Sequence, residues 1–393
     1  MVERNLELAE IIIELGAIQA RLALSLPQRL RPYLNRFEDL PRACLILGPR
    51  GCGKTTFILN YLRQKNCLFV SADLPWIAPY SLWEIAKAAF SHGYEGIIFD
   101  EVHYAEDWSK HIKAIYDSYP KHLIWASDSS SAVLRKGVAD LSRRFLKIQI
   151  PILSFREYIY LREGKLFQTI DPFSPDSSKI HEVLDQINVP LLFRQHISSG
   201  IRPIFQEGFY EDRSLNILEK MIFSDLLFFV PQMQENYYRA LKSILSYLAS
   251  ASIPRLNLER LCKEWGIGKE KLYQLLSVAE EIHLIRIIKY SNQRTSHTKG
   301  AKIFLHDPSW YSVLKGELGN QREAYVVSAL SELGLGVSIP KDDSECDFVT
   351  SSSLKLEIGG RNKSSKKADF VIRDDLDVPS GKAIPLWLLG MGY

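Results

Sequence analysis

Several features that mark specialised protein classes are scarce or missing in this chain. Its 393 residues include only five cysteines, at positions 44, 52, 67, 262 and 346, and none lies in a Cys-x-x-Cys pair. This odd and scattered set argues against a zinc site and against a disulfide framework, and it suits a reducing cytosol. We therefore expect a cytoplasmic protein.

Long uncharged apolar runs are also missing. The most apolar N-terminal stretch, 11–27, is interrupted by Glu14, Gln19 and Arg21. It has neither a basic segment before it nor a small-residue cleavage site after it, so we expect no signal peptide. No stretch reaches the ~18 uncharged apolar residues of a membrane-spanning helix. We interpret residues 3–25 as an amphipathic helix that packs on the next domain, with docking of a partner as the alternative.

A large excess of charge of either sign is absent as well. The net charge is +3, and 24% of the residues are charged. No global field therefore demands a polyanionic partner, and any binding of nucleic acid must depend on local patches. The apolar content of 46% is typical of a folded soluble protein, and the length predicts two to four domains.

The clearest motif that is present is a glycine-rich loop. It reads Gly-Pro-Arg-Gly-Cys-Gly-Lys-Thr, the complete G-x-x-x-x-G-K-[ST] pattern, between the apolar run 43–47 and a predicted helix at 55–64. In this context the backbone N–H groups close on phosphate oxygens, Lys54 neutralises the β- and γ-phosphates, and Thr55 offers its hydroxyl to Mg²⁺. The predicted nucleotide-binding residues are Gly48, Pro49, Arg50, Gly51, Cys52, Gly53, Lys54, Thr55 and Thr56.

Apolar strand-like runs alternate with helical segments from residue 43 to residue 150. The runs are 43–47, 68–72, 97–99, 123–126 and 146–150. Such alternation predicts an α/β fold in which a parallel sheet is covered by helices on both faces.

The third run ends in two carboxylates, Asp100 and Glu101. Burying them would be costly unless they face a cation or a polar pocket, and ligands of open α/β sheets bind at the carboxyl ends of the strands. Asp100 is therefore the candidate ligand in the outer coordination sphere of Mg²⁺. Glu101 is the candidate base that orients the attacking water.

Polar residues near the fourth and fifth runs are further candidates. Ser127 is best placed to contact the γ-phosphate or the lytic water; Asp128 is the alternative, and a plain helix N-cap is another. Arg143 or Arg144 is a candidate arginine finger, although a surface arginine pair is the common case.

Together these segments resemble a known family. The phosphate loop, the carboxylates after the third run, Ser127 and the stretch 143–158, with Pro-Ile-Leu-Ser-Phe-Arg-Glu at 151–157, are similar to prokaryotic AAA-type ATPases that carry a C-terminal DUF4143 region. Arg143 matches the arginine of the family's Gly-Arg pair, but Ser142 stands where the glycine usually is. The resemblance covers about residues 15–360 and is most specific over 43–158. It implies a P-loop core with a catalytic glutamate after the Walker B aspartate, and ATP and Mg²⁺ as cofactors.

Beyond residue 158 the composition becomes helical, and the chain is predicted to have five segments. They are an N-terminal helical segment (1–36), a P-loop ATPase core (37–158), a helical lid (159–236), a winged helix (237–295) and a small α+β domain (296–393). Arg202, in the lid, is a candidate for contacting a phosphate. The winged helix is inferred from apolar residues at helical spacing in helices predicted at 238–249, 258–265 and 269–282.

The stretch 286–302 suggests a way for the winged helix to bind DNA. It contains five cations and no acid: Arg286, Lys289, Arg294, Lys299 and Lys302. Such a wing suits contact with phosphates. Winged helices also serve as protein-binding modules inside ATPases, so a protein partner is the alternative.

In the DUF4143 family the last segment resembles a PD-(D/E)xK nuclease fold, whose chemistry needs two carboxylates on one metal and a nearby lysine. Asp347 and Glu357 are the corresponding carboxylates here, but Gly359 stands where the lysine belongs. Lys355 or Lys363 would be an irregular substitute. We therefore expect a degenerate nuclease-like domain.

The sequence thus predicts an ATP-binding protein, an Mg²⁺-dependent ATPase whose nucleotide state repositions the lid, the winged helix and the C-terminal domain. Its candidate catalytic residues are Glu101, Lys54, Arg143 and Ser127. ATP is the default nucleotide because no guanine-reading Asn-Lys-x-Asp stretch is present. The alternatives are a nucleotide-gated DNA-binding protein with little turnover, a metal-dependent nuclease and a structural adaptor. An arginine finger from a neighbouring subunit leaves oligomerisation open.

Overall fold

The chain divides into two compact units, Met1–Pro151 and Ile152–Tyr393. The computed structural model describes all residues except 1, 38, 130–140, 231–234, 253–254, 256–257, 291–300, 341, 343–344 and 361–366. The first unit ends before the predicted core boundary at 158, because the helix that begins at Phe155, capped by Ser154 and Glu157, belongs to the second unit. The five predicted segments are finer than this division, and their boundaries stay predictions.

The first unit contains a five-stranded sheet in which every neighbouring pair is parallel, in the order β2-β3-β4-β1-β5. The parallel sheet predicted from the alternating runs is therefore confirmed. Its strands are β1 (Ala43–Leu47), β2 (Cys67–Ser71), β3 (Gly96–Asp100), β4 (Leu123–Asp128) and β5 (Leu146–Gln149). Its helices are α1 (Val2–Leu24), α2 (Lys54–Leu62), α3 (Leu82–Ser91) and α4 (Trp108–Ser118), with 3-10 turns at Pro32–Arg36, Pro75–Ile77 and Val102–Tyr104.

The central strands are buried, and their sequences are apolar except at the carboxyl ends of β3 and β4. Every residue of β1 and of β3 is buried, as covering both faces of a sheet requires. Helix α1 packs on α2, α3 and β2, and its buried residues Leu8, Ile12 and Leu15 recur at helical spacing. This is the packing that the amphipathic pattern of 3–25 predicts.

The strand order determines which loops meet. Strand β4 lies between β3 and β1, and all three point the same way. Their carboxyl ends therefore lie side by side at one edge of the sheet, which is where open α/β sheets bind ligands. The glycine-rich loop after β1, the end of β4 and the carboxylates after β3 meet at this edge.

The second unit combines helices with two small sheets. Strands β8 to β12 form a mixed sheet, and β6 and β7 form an antiparallel pair. The strands are β6 (Ile285–Ile288), β7 (Lys302–Leu305), β8 (Val337–Ser338), β9 (Phe348–Thr350), β10 (Lys355–Gly359), β11 (Phe370–Arg373) and β12 (Ala383–Pro385). The helices are α5 (Phe155–Glu163), α6 (Ser177–Gln186), α7 (Val189–Ser199), α8 (Tyr210–Lys220), α9 (Leu226–Phe229), α10 (Glu235–Ser250), α11 (Leu258–Trp265), α12 (Lys269–Glu281), α13 (Ser309–Val313) and α14 (Leu318–Glu332).

Helices α10, α11 and α12 and strand β6 lie in or beside the predicted winged helix 237–295, but β7, the partner of β6, lies beyond it, so the winged helix stays a prediction. The apolar end of the chain differs from its prediction. Residues 385–390 read as a final strand, but β12 ends at Pro385 and a 3-10 helix, Leu386–Met391, follows. In the described part of the chain, no helix has the length and apolarity needed to cross a bilayer.

Arg202 is not the phosphate-contacting residue that the sequence suggests. Its side chain is completely buried within the second unit, where Nε donates a hydrogen bond of 2.5 Å to Asp307 Oδ2. The guanidinium also lies over the ring of Trp310, with Cζ 5.0 Å from the ring centroid. A carboxylate and an aromatic face already satisfy this cation, so its burial has a structural reason.

Two cations of the predicted basic wing also turn inward. Arg286 donates hydrogen bonds to the carbonyl of Val327 and the hydroxyl of Ser331. Lys302 Nζ donates a hydrogen bond of 2.7 Å to Glu323 Oε2 and is largely buried. These two residues are therefore wrong as phosphate contacts. Arg294 and Lys299, like the nuclease candidate Lys363, lie outside the described residues.

Candidate nucleotide-binding site

The glycine-rich loop takes a shape that its glycines permit. Gly53, the residue before α2, has φ +98°, a left-handed conformation that residues with a Cβ rarely adopt. At Gly48, an added Cβ would collide with the backbone carbonyl oxygen of Ile150. Both glycines are therefore required by the fold of the loop itself, before any ligand is considered.

Lys54 is buried inside this loop. Its Nζ donates hydrogen bonds to the carbonyl oxygens of Gly48 and Pro49, at 2.8 and 3.3 Å. A third bond, of 2.9 Å, goes to Ser129 Oγ at the end of β4. The ammonium group is thus held at the centre of the loop, where a phosphate would find it.

The loop and the β3 edge are joined through Thr55 and Asp100. Thr55 Oγ1 donates a hydrogen bond of 2.8 Å to Asp100 Oδ2. Burial, with the nearby Glu101 carboxylate, raises the pKa of Asp100 above its ordinary value. A hydroxyl and a carboxylate oxygen are the donors that Mg²⁺ prefers, so these residues fit a magnesium ion.

Glu101 lies just after β3, in a left-handed conformation with φ +53°. Its Oε1 accepts a hydrogen bond of 2.7 Å from Ser129 Oγ, and its Oε2 lies 3.6 Å from Arg50 Nη2. Among the described residues, Oε2 has no hydrogen-bond partner although it is buried. Burial opposes ionisation, but the charges of Lys54 and Arg50 outweigh it and lower the pKa of Glu101. These charges favour the ionised carboxylate, and His103 Nδ1 also lies 3.7 Å from Oε2.

Ser127 and Asp128 each contact the segment at the end of β3, and their predicted roles toward a phosphate or the lytic water stay predictions. Ser127 Oγ donates a hydrogen bond of 2.5 Å to Asp100 Oδ1. Asp128 Oδ2 accepts hydrogen bonds from the backbone N and from Nδ1 of His103, at 3.1 and 2.7 Å. The ligand atoms of Glu101, His103 and Asp128 lie within 4.8 Å of one another, close enough for one metal ion.

Ser129 is the functional residue that the sequence reasoning missed. Ser129 lies directly after β4 and contacts both Lys54 and Glu101, whereas the sequence singles out Ser127 for the γ-phosphate or the lytic water. A signal was available: residues two apart on a strand share a face, so Ser129 continues the polar side that Ser127 begins.

Arg31 is a second residue that the sequence reasoning missed. Its buried guanidinium donates from Nη1 to the carbonyl oxygens of Cys52 and Pro151, at 2.7 and 2.6 Å. It therefore ties the glycine-rich loop to the segment after β5. No local pattern marks it, because its two acceptors are distant in sequence.

The two arginines before β5 differ from each other. Arg143 is exposed, and no described residue pairs with it, so its predicted role stays a prediction. Arg144 pairs with Asp117, with Nε 3.0 Å from Oδ1, and is held at the surface of the first unit.

Comparison with known proteins agrees with this geometry. Residues 40–159 match the family model described as an AAA domain. The match covers the segment in which the resemblance to AAA-type ATPases is most specific. It contains the glycine-rich loop, both carboxylates after β3 and the end of β4.

Two uncharacterised proteins are also similar to the chain. The uncharacterised protein MJ1637 of Methanocaldococcus jannaschii is 26% identical over 387 residues, which cover 87% of this chain and 80% of the relative. An uncharacterised protein of Haemophilus influenzae is 22% identical over 143 residues, 33% of this chain and 36% of that protein.

Solved structures of low sequence identity also align with the chain. The Walker-type ATPase PABY2304 of Pyrococcus abyssi is 14% identical, with a TM-score of 0.43, over 72% of this chain and 93% of that one. A RuvB variant of Thermotoga maritima is 16% identical, with a TM-score of 0.33, over 77% of this chain and 95% of that one.

Proposed function

We propose that the chain binds ATP and hydrolyses it to ADP and phosphate in the presence of Mg²⁺. The hydrogen bond between Thr55 and Asp100 carries this proposal, because it joins the phosphate-binding loop to the carboxylate edge of the sheet. The hydroxyl and the carboxylate that would hold Mg²⁺ lie within one hydrogen bond of each other, which supports the proposal. The match of residues 40–159 to an AAA domain supports the same conclusion.

Each side chain has a role in this reaction. The loop amides and Lys54 bind the phosphate oxygens, and Thr55 and Asp100 hold the metal. Bound Mg²⁺ supplies positive charge that offsets the charge of the phosphates. Glu101 orients the attacking water through Oε2, and Ser129 holds its other carboxylate oxygen in place.

The direct test uses the full chain. We expect heat of association when ATP is titrated in the presence of Mg²⁺, and phosphate release that stops when EDTA removes the metal. GTP in place of ATP tests the choice of base. If no heat is measured at millimolar nucleotide, the chain is not a nucleotide-binding protein and the proposal is lost.

We also propose that the nucleotide state is transmitted to residues 152–393, which include the predicted lid, winged helix and nuclease-like segment. The DUF4143 resemblance supports such an arrangement. Hydrogen exchange of these residues with and without a non-hydrolysable ATP analogue would measure the effect. Identical exchange in both states would contradict it.

The nuclease alternative stays a prediction. Among the described residues, the group with ligand atoms near enough for a single ion is Glu101, His103 and Asp128, in the first unit. In the C-terminal region Lys302 Nζ lies 2.7 Å from Glu323 and 3.8 Å from Asp347, so this cation lies near one of the two predicted nuclease carboxylates. DNA binding stays a prediction, with Arg286 and Lys302 removed from its contact set.

A further inference from the structure

A cavity of about 410 Å³ opens on the first unit where β2 ends. One wall comes from residues 77–84, between the turn Pro75–Ile77 and α3. The opposite wall comes from residues 104–107, between the turn Val102–Tyr104 and α4. None of residues 48–55 lines this cavity, so it is separate from the glycine-rich loop. Its volume lies in the range of small-ligand sites.

The walls combine aromatic rings with carboxylates. Tyr80 and Tyr104 line the cavity together with Glu84, Glu106 and Asp107. Cations are attracted both by the face of an aromatic ring and by a carboxylate. A cation that contacts both is held more strongly than by either alone. The composition of the walls therefore favours a positively charged ligand.

One wall already binds a cation from this chain. Arg4 Nη2 lies 3.0 Å from Glu84 Oε1, and the guanidinium carbon lies 5.4 Å from the centroid of the Tyr80 ring. Arg4 Nη2 also lies 3.4 Å from the carbonyl oxygen of Pro79. The Arg4 side chain is 54% exposed, so this contact is made at the rim rather than in the interior. Glu84 and Tyr80 thus already contact one cation of the chain.

The opposite wall has two carboxylates, and they differ in their contacts. Asp107 Oδ1 pairs with Lys110 Nζ at 2.9 Å, on the same helical turn. Glu106 is exposed, and no described residue forms an ion pair or hydrogen bond with it. His111, the remaining titratable group of the lining, lies on α4. Glu106 is thus the carboxylate available to a ligand that enters between the walls.

We propose that this cavity binds a cationic group at the end of an aliphatic stem, such as a lysine or arginine side chain of a polypeptide partner. The ammonium or guanidinium group pairs with Glu106, and its stem packs against Tyr104. A free polyamine offers the same chemistry, and the experiment below separates the two sources.

The Tyr104 wall is continuous with the catalytic turn. Tyr104 N donates a hydrogen bond of 3.1 Å to the carbonyl oxygen of Glu101, and its ring lies 4.2 Å from the ring of His103, centroid to centroid. A ligand that packs on Tyr104 therefore contacts a residue that is hydrogen-bonded to Glu101, in the same turn. This part rests on the proposed ATPase function: the ligand changes the turnover of ATP. Binding itself does not depend on it.

The test measures binding to the full chain without nucleotide, since ATP itself binds polyamines. An N-acetylated octalysine peptide and spermidine are titrated separately by calorimetry. We expect the peptide to bind, and Glu106→Gln to weaken its affinity about fivefold or more, because one charged contact is removed. The control is Glu182→Gln, which removes the same charge from an exposed position on α6 in the second unit.

The outcomes separate cleanly. Binding of the peptide without spermidine identifies a polypeptide ligand, and competition between the two identifies the polyamine as a ligand as well. Equal weakening by both substitutions would mean general charge attraction, and no binding at millimolar peptide would mean an empty cavity; either result overturns the proposal. Basal ATP turnover, measured without peptide, tests the proposed function independently.

Discussion

The hydroxyl of Ser129 donates a hydrogen bond of 2.7 Å to Oε1 of Glu101. The same hydroxyl oxygen lies 2.9 Å from Lys54 Nζ, so one side chain directly after β4 connects the Glu101 carboxylate to the lysine of the loop. In the proposed reaction, Oε2 is the oxygen that orients water. This contact explains how a carboxylate in a left-handed turn keeps a defined direction.

Replacing Ser129 by alanine should therefore affect turnover more than binding. We expect the kcat of Ser129→Ala to fall about tenfold to a hundredfold, in the range of a positioned acid–base group, while the Kd for ATP changes little. Phosphate release and calorimetry measure the two. Ser91→Ala is the matched control, because Ser91 Oγ bonds only the carbonyl oxygen of Lys87 in its own helix. A large loss of ATP affinity in Ser129→Ala would show that Ser129 acts on the nucleotide instead.

The two charged residues of the site should separate binding from chemistry. Glu101→Gln keeps the shape of the side chain but cannot accept a proton, so we expect ATP to bind while kcat falls about 10²- to 10⁴-fold. Lys54→Ala removes the cation of the loop and should abolish both. Equal losses of binding in the two variants would contradict the assigned roles.

Gly48 should tolerate no side chain. We expect Gly48→Ala to lower the free energy of unfolding by about 1–3 kcal/mol, because its Cβ meets the backbone carbonyl oxygen of Ile150. Gly319, in α14, is the control, since nothing lies within 4 Å of its added Cβ. Gly319→Ala should raise the free energy of unfolding by about 0.5–1 kcal/mol. Urea denaturation gives both values, and a neutral Gly48→Ala would show that the loop can shift.

Arg31 should matter for both the loop and the stability of the first unit. Arg31→Met leaves the carbonyl oxygens of Cys52 and Pro151 without this donor, so we expect a loss of about 1.5–3 kcal/mol and weaker ATP binding. Arg36→Met removes an exposed arginine that lies over the ring of Tyr33, and should change neither quantity much. Normal ATP affinity in Arg31→Met would mean that the loop holds its shape alone.

His196 should make the second unit sensitive to acid. It is completely buried, with Nδ1 3.2 Å from the carbonyl oxygen of Gly200, and burial lowers its pKa to about 3. In the unfolded chain a histidine has a pKa of about 6.5, so below that pH the unfolded state binds more protons. The contribution of neutral His196 to the free energy of unfolding is therefore complete above about pH 6.5. It falls by about 1.4 kcal/mol per pH unit as the pH decreases towards the pKa of His196 in the folded state.

Urea denaturation at pH 7 and at pH 5 measures this loss, which should be about 2 kcal/mol for His196 alone. The free energy of unfolding of His196→Gln should decrease less between pH 7 and pH 5 than that of the unsubstituted chain, whatever the stability of the variant at pH 7. An unchanged difference would assign the acid sensitivity to other groups, such as His306, whose pKa is also lowered by burial.

The features that were predicted correctly depend on residues close together in the chain. The parallel sheet follows from the apolar runs, and the strands that enclose the site begin or end within a few residues of their predicted positions. The glycine-rich loop and the pair Asp100–Glu101 could be identified because each is a contiguous pattern beside a strand. The turn that ends the chain was missed, because an apolar segment such as 385–390 is equally compatible with a strand and with a buried 3-10 helix.

The errors concern side chains whose role depends on distant partners. In the sequence Arg202 and Lys302 look like cations that could contact a phosphate. In the structure Arg202 contacts Asp307 and Trp310, and Lys302 contacts Glu323. The contacts of Ser127 and Ser129 could not be told apart from the sequence either, because only the position of β4 between β3 and β1 gives one serine to Asp100 and the other to Glu101 and Lys54; the predicted role of Ser127 stays a prediction.

The sequence by itself therefore determined that phosphate-binding groups and paired carboxylates exist, because the local backbone conformation that they need is encoded by neighbouring residues. Only the tertiary structure decided which charges are neutralised inside the protein and which remain for a ligand. The physical reason is that the pairing of buried charges depends on distance in space, and residues far apart in the chain set that distance.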